Sequence, residues 1–158
     1  MAQLSSSFTM ENPVFECYAF YSSILILKMI LMSFLTIIQR MKKKVFISPE
    51  DLTLNPIKAS TGEVLYDDPD IERVRRAHLN DLENIPIFLI TGLLFVASRP
   101  AEMLAMNLFR LYTLVRIIHT SVYAIYVVPQ PTRAIMFIIG VIINIIMIIC
   151  ILIKMHQF

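Results

Sequence analysis

Ionisable side chains lie beside apolar stretches of this chain, at places where a membrane helix must include them. The segment from Glu72 to Glu83 runs directly into the apolar stretch from Asn84 to Ser98. That stretch has about 15 residues, fewer than the roughly 20 that cross a bilayer core. The membrane helix must therefore extend back into the charged segment. Because a charge at the centre of a span costs roughly 2.5–3.5 kcal/mol, we interpret these residues as a candidate binding or catalytic site.

Helical spacing groups the polar residues into three stripes, because positions three and four apart share a helix face at about 100° per residue. The stripes are Arg73, Arg76, Asn80 and Glu83; then Tyr112, Arg116, His119, Tyr123 and Tyr126; then Arg133, Phe137, Gly140 and Asn144. Unpaired polar groups are not satisfied in lipid. We therefore expect the stripes to face one another, or a neighbouring subunit, around a polar cavity.

The stripes are rich in arginine and poor in carboxylates. They carry Arg73, Arg76, Arg116 and Arg133 with His119, against the single carboxylate of Glu83. A guanidinium binds carboxylates through its bidentate fork, and a carboxylate suits an ammonium. The pattern favours a zwitterionic peptide with extra carboxylates as the ligand. The alternative is that these side chains pair with one another and lock the bundle, although a structural network would be expected to balance its charge.

Arg133 follows Pro131 and Thr132, which places it in the first turn of a helix. The helix dipole disfavours a cation there by a few tenths of a kcal/mol. The position is understandable if an anion binds at the same place. The alternative is a headgroup anchor that follows the positive-inside bias.

His78 and His119 with Glu83 do not predict a metal site, because the acceptor-rich set that a divalent ion needs is missing. Lys28, isolated in the first apolar stretch, is expected to pair with a carboxylate or with carbonyls inside the bundle.

The composition predicts the elements that position these residues. Hydrophobic residues make up 57% of the 158 residues and charged residues 16%, as in an all-α integral membrane protein. The basic residues lie beside apolar stretches and form no stripe for nucleic acid. We predict a four-helix bundle in one domain, residues 1–158, with spans at about 14–39, 73–98, 105–128 and 134–153. Residues 41–69 form a long loop, with a short helix expected at Ser48–Asp51 and a helix start at Asp68-Pro69-Asp70.

Basic residues predict the direction of insertion. Arg40 and the lysines Lys42, Lys43 and Lys44 follow the first span, and the tail before that span has no lysine or arginine. Under the positive-inside rule the loop at 41–69 and the loop before Arg133 are cytosolic, and both termini are lumenal or external. Lys154 argues weakly for the opposite direction.

Several segments resemble the microsomal glutathione transferase 1 branch of the MAPEG family, and the resemblance extends over nearly the whole chain. The matching segments are Glu72 to Glu83, His119-Thr120 through Tyr123, Pro129 to Ala134, Lys28-Met29, Val45-Phe46 and Pro49-Glu50-Asp51. The family implies a homotrimer in the endoplasmic reticulum and outer mitochondrial membranes, with glutathione bound between subunits at the cytosolic face. The residues implied to bind glutathione are Arg40, Arg75, Arg76, His78, Asn80, Glu83 and Tyr123, with Arg133 beside the thiol.

The resemblance implies a membrane glutathione transferase that conjugates glutathione, its co-substrate, to hydrophobic electrophiles and also reduces lipid hydroperoxides. The sequence differs at two places from patterns found within the family. Leu52 stands where mammalian members of this branch have cysteine, so activation by thiol modification is not expected there. Ala134 and Phe137 stand where the prostaglandin E synthase branch has Ser and Tyr, which favours the transferase branch. The alternatives are a non-catalytic lipid-binding or scaffold protein and a leukotriene C4 synthase-like enzyme.

Overall fold

Four long helices make up most of the protein in the computed structural model, which describes residues 6–46, 63–64 and 68–156. After a short 3-10 turn at Ser6–Phe8, the helices are α1 (Pro13–Lys43), α2 (Pro69–Ala97), α3 (Glu102–Thr120) and α4 (Thr132–Met155). The strands β1 (Val45–Phe46) and β2 (Glu63–Val64) form a two-residue parallel pair. The all-helical prediction is confirmed. The predicted helix at Ser48–Asp51 and Leu52 lie outside the described residues, as does most of the loop at 41–69.

Three helices, α1, α2 and α4, are long and apolar enough to cross a membrane. Their outward surfaces carry large exposed hydrophobic side chains, which suits contact with lipid. The integral membrane class is therefore confirmed. The fourth helix, α3, has 19 residues, or about 28 Å at 1.5 Å per residue.

The second long helix, α2, begins at the signal that the sequence carries. Asp68 is the N-cap of α2, and its carboxylate accepts hydrogen bonds from the amides of Asp70 (2.9 Å) and Ile71 (3.1 Å). Pro69 fits the first helical position, where its missing N–H is not needed. The predicted helix start is confirmed. Lys43 at the end of α1 contacts both Asp68 (2.8 Å) and Asp70, so the two helices are tied together at this end, which we name the Lys43 end.

Aromatic rings and one glycine hold the bundle closely packed. The rings of Phe88 and Tyr112 stack with centroids 3.9 Å apart, which joins α2 to α3. A Cβ atom added at Gly92 would lie 2.7 Å from the ring of Tyr18, so only glycine permits this approach of α1 to α2. The Tyr18 hydroxyl donates a hydrogen bond to the carbonyl of Leu89 at 2.7 Å. The packing fixes the lateral positions of the polar stripes.

The end of α3 differs from a simple span over 105–128. The α-helix stops at Thr120 and continues as a π-helical turn, Ser121–Ile125, before an irregular connection to α4. A π-helical turn adds a residue to the helical repeat and often occurs at functional sites. It shifts the faces of the residues that follow, and Tyr126 is 73% exposed although it was predicted on the buried stripe.

Candidate functional site

Arg133 occupies the first turn of α4, as the sequence predicts. Its side chain is half-buried, and its Nε atom is buried without a hydrogen-bond partner among the described residues. No side chain caps the N-terminus of α4. Buried donors are normally paired. The unpartnered Nε of Arg133, at a helix N-terminus, is therefore a candidate donor to an anionic ligand.

The guanidinium of Arg133 lies over the ring of Tyr123. The guanidinium carbon of Arg133 lies 4.6 Å from the centre of the Tyr123 ring, within the range of a cation–π contact. The ring centres of buried His119 and Tyr123 lie 5.6 Å apart. Tyr123 also packs against a cluster of Met32, Val74, Ala77 and Ala124, which anchors it to α1 and α2. The structure therefore brings two of the predicted residues, Tyr123 and Arg133, into direct contact.

The predicted residues on α2 divide between two faces of the helix. Arg76, Asn80 and Glu83, at helical spacings of four and three, share one face, where Asn80 is half-buried and the two charged residues are exposed. Arg75 and His78 lie on another face. Arg75 is exposed, with its Nε 3.3 Å from Oε1 of Glu72. One chain alone therefore does not gather these five side chains into one pocket.

Arg40 is half-buried in the last turns of α1, at the Lys43 end. Arg40, Arg76 and Arg133 form no ion pair with any described residue, and neither does Glu83. These three arginines are the candidates for binding an anionic ligand at this end of the bundle.

The charge balance expected from the three stripes leaves out Asp81, which lies on a different, apolar face of α2. This carboxylate is completely buried, and it binds Lys28 at 2.6 Å and also the guanidinium of Arg116. Arg73 is paired as well, with Asp70 at 2.6 Å. Two of the four arginines in that count are thus neutralised within the chain. The case for an anionic ligand rests on Arg40, Arg76 and Arg133 instead.

A signal for Asp81 was present in the sequence. Its neighbours at helical spacing on α2, Ala77, Ile85 and Phe88, are all buried and apolar. A carboxylate on the apolar face of a membrane helix needs a buried partner. Lys28 was expected to find such a partner, and that prediction is confirmed by its bond to Asp81.

No group of three or more His, Cys, Asp or Glu side chains in the described part of the chain is placed to hold a metal ion.

Comparison with known proteins identifies the family. The profile of the MAPEG family matches residues 18–153, which is most of the chain. The protein belongs to the MAPEG family. Among its MAPEG relatives, microsomal glutathione S-transferase 1 of Bos taurus is 46% identical over 140 residues, covering 89% of this chain and 88% of the relative. The human protein of the same name is 44% identical over 131 residues, covering 83% of this chain and 84% of the relative.

A second branch of the family is more distant. Prostaglandin E synthase of Homo sapiens is 32% identical over 117 residues and covers 74% of each chain. The resemblance noted in the sequence is thus confirmed, and the greater similarity is to the glutathione transferase branch of MAPEG.

Proposed function

We propose that this MAPEG protein is a membrane-bound glutathione transferase that conjugates glutathione to hydrophobic electrophiles and also reduces lipid hydroperoxides. The observation that carries the proposal is the position of Arg133 and its unpartnered Nε donor. It is a half-buried guanidinium at a helix N-terminus, lying over Tyr123, with a buried Nε that has no partner among the described residues. The similarity to microsomal glutathione S-transferase 1 of two mammals supports the same assignment.

The chemical task of such an enzyme is to ionise the glutathione thiol. A free thiol with a pKa near 8.5 is only about 3% ionised at pH 7. Lowering that pKa by about two units requires roughly 2.7 kcal/mol of preferential binding of the thiolate. In this proposal, Arg133 and the amides of the first turn of α4 supply this stabilisation. The thiolate then attacks the electrophile directly, so no covalent enzyme intermediate is needed.

The other predicted residues have roles in holding glutathione. Arg40, Arg75 and Arg76 bind its carboxylates, and Glu83 binds its ammonium, with His78, Asn80 and Tyr123 completing the site. The five of these residues on α2 lie on two faces of the helix, with Arg75 and His78 apart from the other three. That separation supports a site between neighbouring subunits. We propose that α3 is a fourth span, that the whole chain is one membrane domain, and that the assembly is a homotrimer.

The distribution of basic residues supports one orientation of the protein in the membrane. Basic residues lie at the Lys43 end of the bundle, and Arg40 and Arg133 are among them. Under the positive-inside rule this end faces the cytosol. We propose a multi-pass protein of the endoplasmic reticulum and outer mitochondrial membranes, with hydrophobic electrophiles entering from the bilayer.

The test is to titrate glutathione into the purified protein in nanodiscs and to follow the ultraviolet absorbance of the bound thiolate. We expect a glutathione-dependent signal that is lost in Arg133→Ala and kept in Arg73→Ala. The control removes the same charge near the start of another helix, α2, but Arg73 is already paired with Asp70.

Absence of any glutathione-dependent signal in the wild-type protein would refute the transferase and favour a lipid-binding or scaffold role on the same fold. Incubation with glutathione and a panel of electrophiles, with product analysis, separates a broad transferase from a leukotriene C4 synthase-like enzyme. Products from one lipid epoxide alone would indicate the latter.

A further inference from the structure

A buried cluster of charges joins three helices next to the proposed glutathione site. Asp81, which is completely buried on α2, accepts hydrogen bonds from Lys28 of α1 (2.6 Å), from Arg116 of α3 and from the Thr120 hydroxyl (3.1 Å). Arg116 is itself only 1% exposed. A buried cation of this kind is retained only where it is paired and hydrogen-bonded.

Arg116 has a second partner outside this cluster. One of its terminal nitrogens donates to the side-chain oxygen of Asn80 at 2.9 Å. A guanidinium has donors and no acceptor, so it must face the oxygen of the Asn80 amide and not the nitrogen. The amide nitrogen is then directed away from Arg116. Asn80 is half-buried and shares its face of α2 with Arg76 and Glu83.

We propose that Asp81 and Arg116 are positioning residues, which hold the Asn80 amide so that its two N–H donors are presented to an acceptor on the ligand. Asp81 keeps Arg116 in place, and Arg116 fixes the orientation of Asn80. The acceptor is a carboxylate or a peptide carbonyl, and this inference rests on the proposed function because that acceptor belongs to glutathione. A ligand is bound more tightly when the side chains that contact it are held in place by hydrogen bonds from neighbouring residues.

The cluster offers a matched pair of variants, because it contains two cations and one carboxylate. Lys28→Met leaves Arg116 paired with Asp81, and Arg116→Met leaves Lys28 paired with Asp81. Each variant removes one positive charge from the cluster and leaves a one-to-one ion pair. Only Arg116→Met also releases Asn80. If Arg116 acts by positioning Asn80, only Arg116→Met weakens glutathione binding. If only the charge of the cluster matters, both variants weaken it equally.

The first measurement is the dissociation constant of glutathione in nanodiscs, obtained by calorimetric titration. We expect about a tenfold weakening in Arg116→Met, as for the loss of one charged hydrogen bond, and less than about a twofold change in Lys28→Met. Asn80→Ala should match Arg116→Met, and the double variant should be no weaker than Asn80→Ala, because both changes remove the same contact. Equal weakening by the two methionine variants, or unchanged affinity in Arg116→Met, would overturn the proposal.

The second measurement needs no ligand. In protein labelled with ¹⁵N-asparagine, the side-chain amide of Asn80 should be as rigid as backbone in the wild type and in Lys28→Met, with a ¹⁵N relaxation order parameter of about 0.85. That order parameter should fall below about 0.6 in Arg116→Met. If that variant does not assemble, Arg116→Lys takes its place, because it keeps a cation beside Asp81 but its shorter side chain does not reach the position of the Arg116 Nη2 atom, which donates to both Asp81 and Asn80. A mobile Asn80 amide in the wild type overturns the positioning role. Failure of wild-type protein to bind glutathione, with a rigid amide, overturns the proposed function instead.

Discussion

The guanidinium of Arg133 lies 4.6 Å from the centre of the Tyr123 ring, which places the first turn of α4 directly over the π-helical turn that follows α3. Tyr123 in turn packs against Met32 of α1 and Val74 of α2. The proposed thiolate-binding arginine is thus held by a residue that contacts the rest of the bundle. The orientation of Arg133 therefore depends on the packing at the Lys43 end.

Removing the aromatic ring at position 123 should weaken thiolate binding. A cation–π contact contributes about 0.5–2 kcal/mol, so Tyr123→Leu should raise the glutathione dissociation constant roughly two- to thirtyfold. Tyr123→Phe keeps the ring and is the matched control for the lost hydroxyl. The measurement is titration of the thiolate absorbance. Equal weakening in Tyr123→Phe and Tyr123→Leu would show that the hydroxyl, and not the ring, is the contributing group.

Neutralising Asp81 should destabilise the bundle strongly. In Asp81→Asn the half-buried cation Lys28 and the buried cation Arg116 lose their counter-charge, at an expected cost of about 3–5 kcal/mol. Glu83→Gln makes the same chemical change on the same helix at an exposed position and should cost less than about 0.5 kcal/mol. Thermal and denaturant unfolding in detergent compares the two. Adding Lys28→Met to Asp81→Asn should recover part of the loss, because one unpaired cation is removed.

Local signals in the sequence were sufficient to predict the start of α2 and the class of protein. Asp68 followed by Pro69 is a cap and first-turn pattern that needs no tertiary information, and α2 begins there. The apolar lengths of α1, α2 and α4 likewise predict membrane helices from composition alone.

Partners across helices could not be predicted in the same way. Helical spacing assigns a residue to a face, but it does not state which face of another helix lies opposite. Arg116 was counted with the ligand-binding arginines because its stripe is polar, whereas Asp81 was overlooked among apolar neighbours. Only the packing of α2 against α3 makes them a pair. The π-helical turn was also missed, because it changes the helical repeat without a proline or glycine to mark it.

Gly92 should not tolerate a side chain, whereas Gly140 should. A Cβ atom at position 92 would lie 2.7 Å from Cε2 of Tyr18, whose ring is fixed by its bond to the Leu89 carbonyl. We expect Gly92→Ala to cost about 1–3 kcal/mol through overpacking. At position 140 the nearest atom, Cε2 of Tyr112, would be at 3.6 Å, an ordinary contact. Gly140→Ala should be neutral or gain up to about 1 kcal/mol from helix propensity. Unfolding of both variants in detergent is the test, and a stable Gly92→Ala would contradict the close approach of α1 to α2.

Asp68 should contribute stability that disappears in acid. The Lys43 ammonium, followed by the amides of Ile71 and Asp70, lowers the pKa of the Asp68 carboxyl below its usual value. A carboxyl whose pKa is lower in the folded protein stabilises it above the unfolded pKa of about 3.9, and this contribution is lost as the pH falls through the folded value. Wild-type protein should therefore lose stability below about pH 4 more steeply than Asp68→Asn, which keeps a capping oxygen but cannot ionise. The measurement is the unfolding midpoint as a function of pH for the two proteins. Parallel curves would mean that the ion pair between Lys43 and Asp68 adds nothing to the junction of α1 and α2.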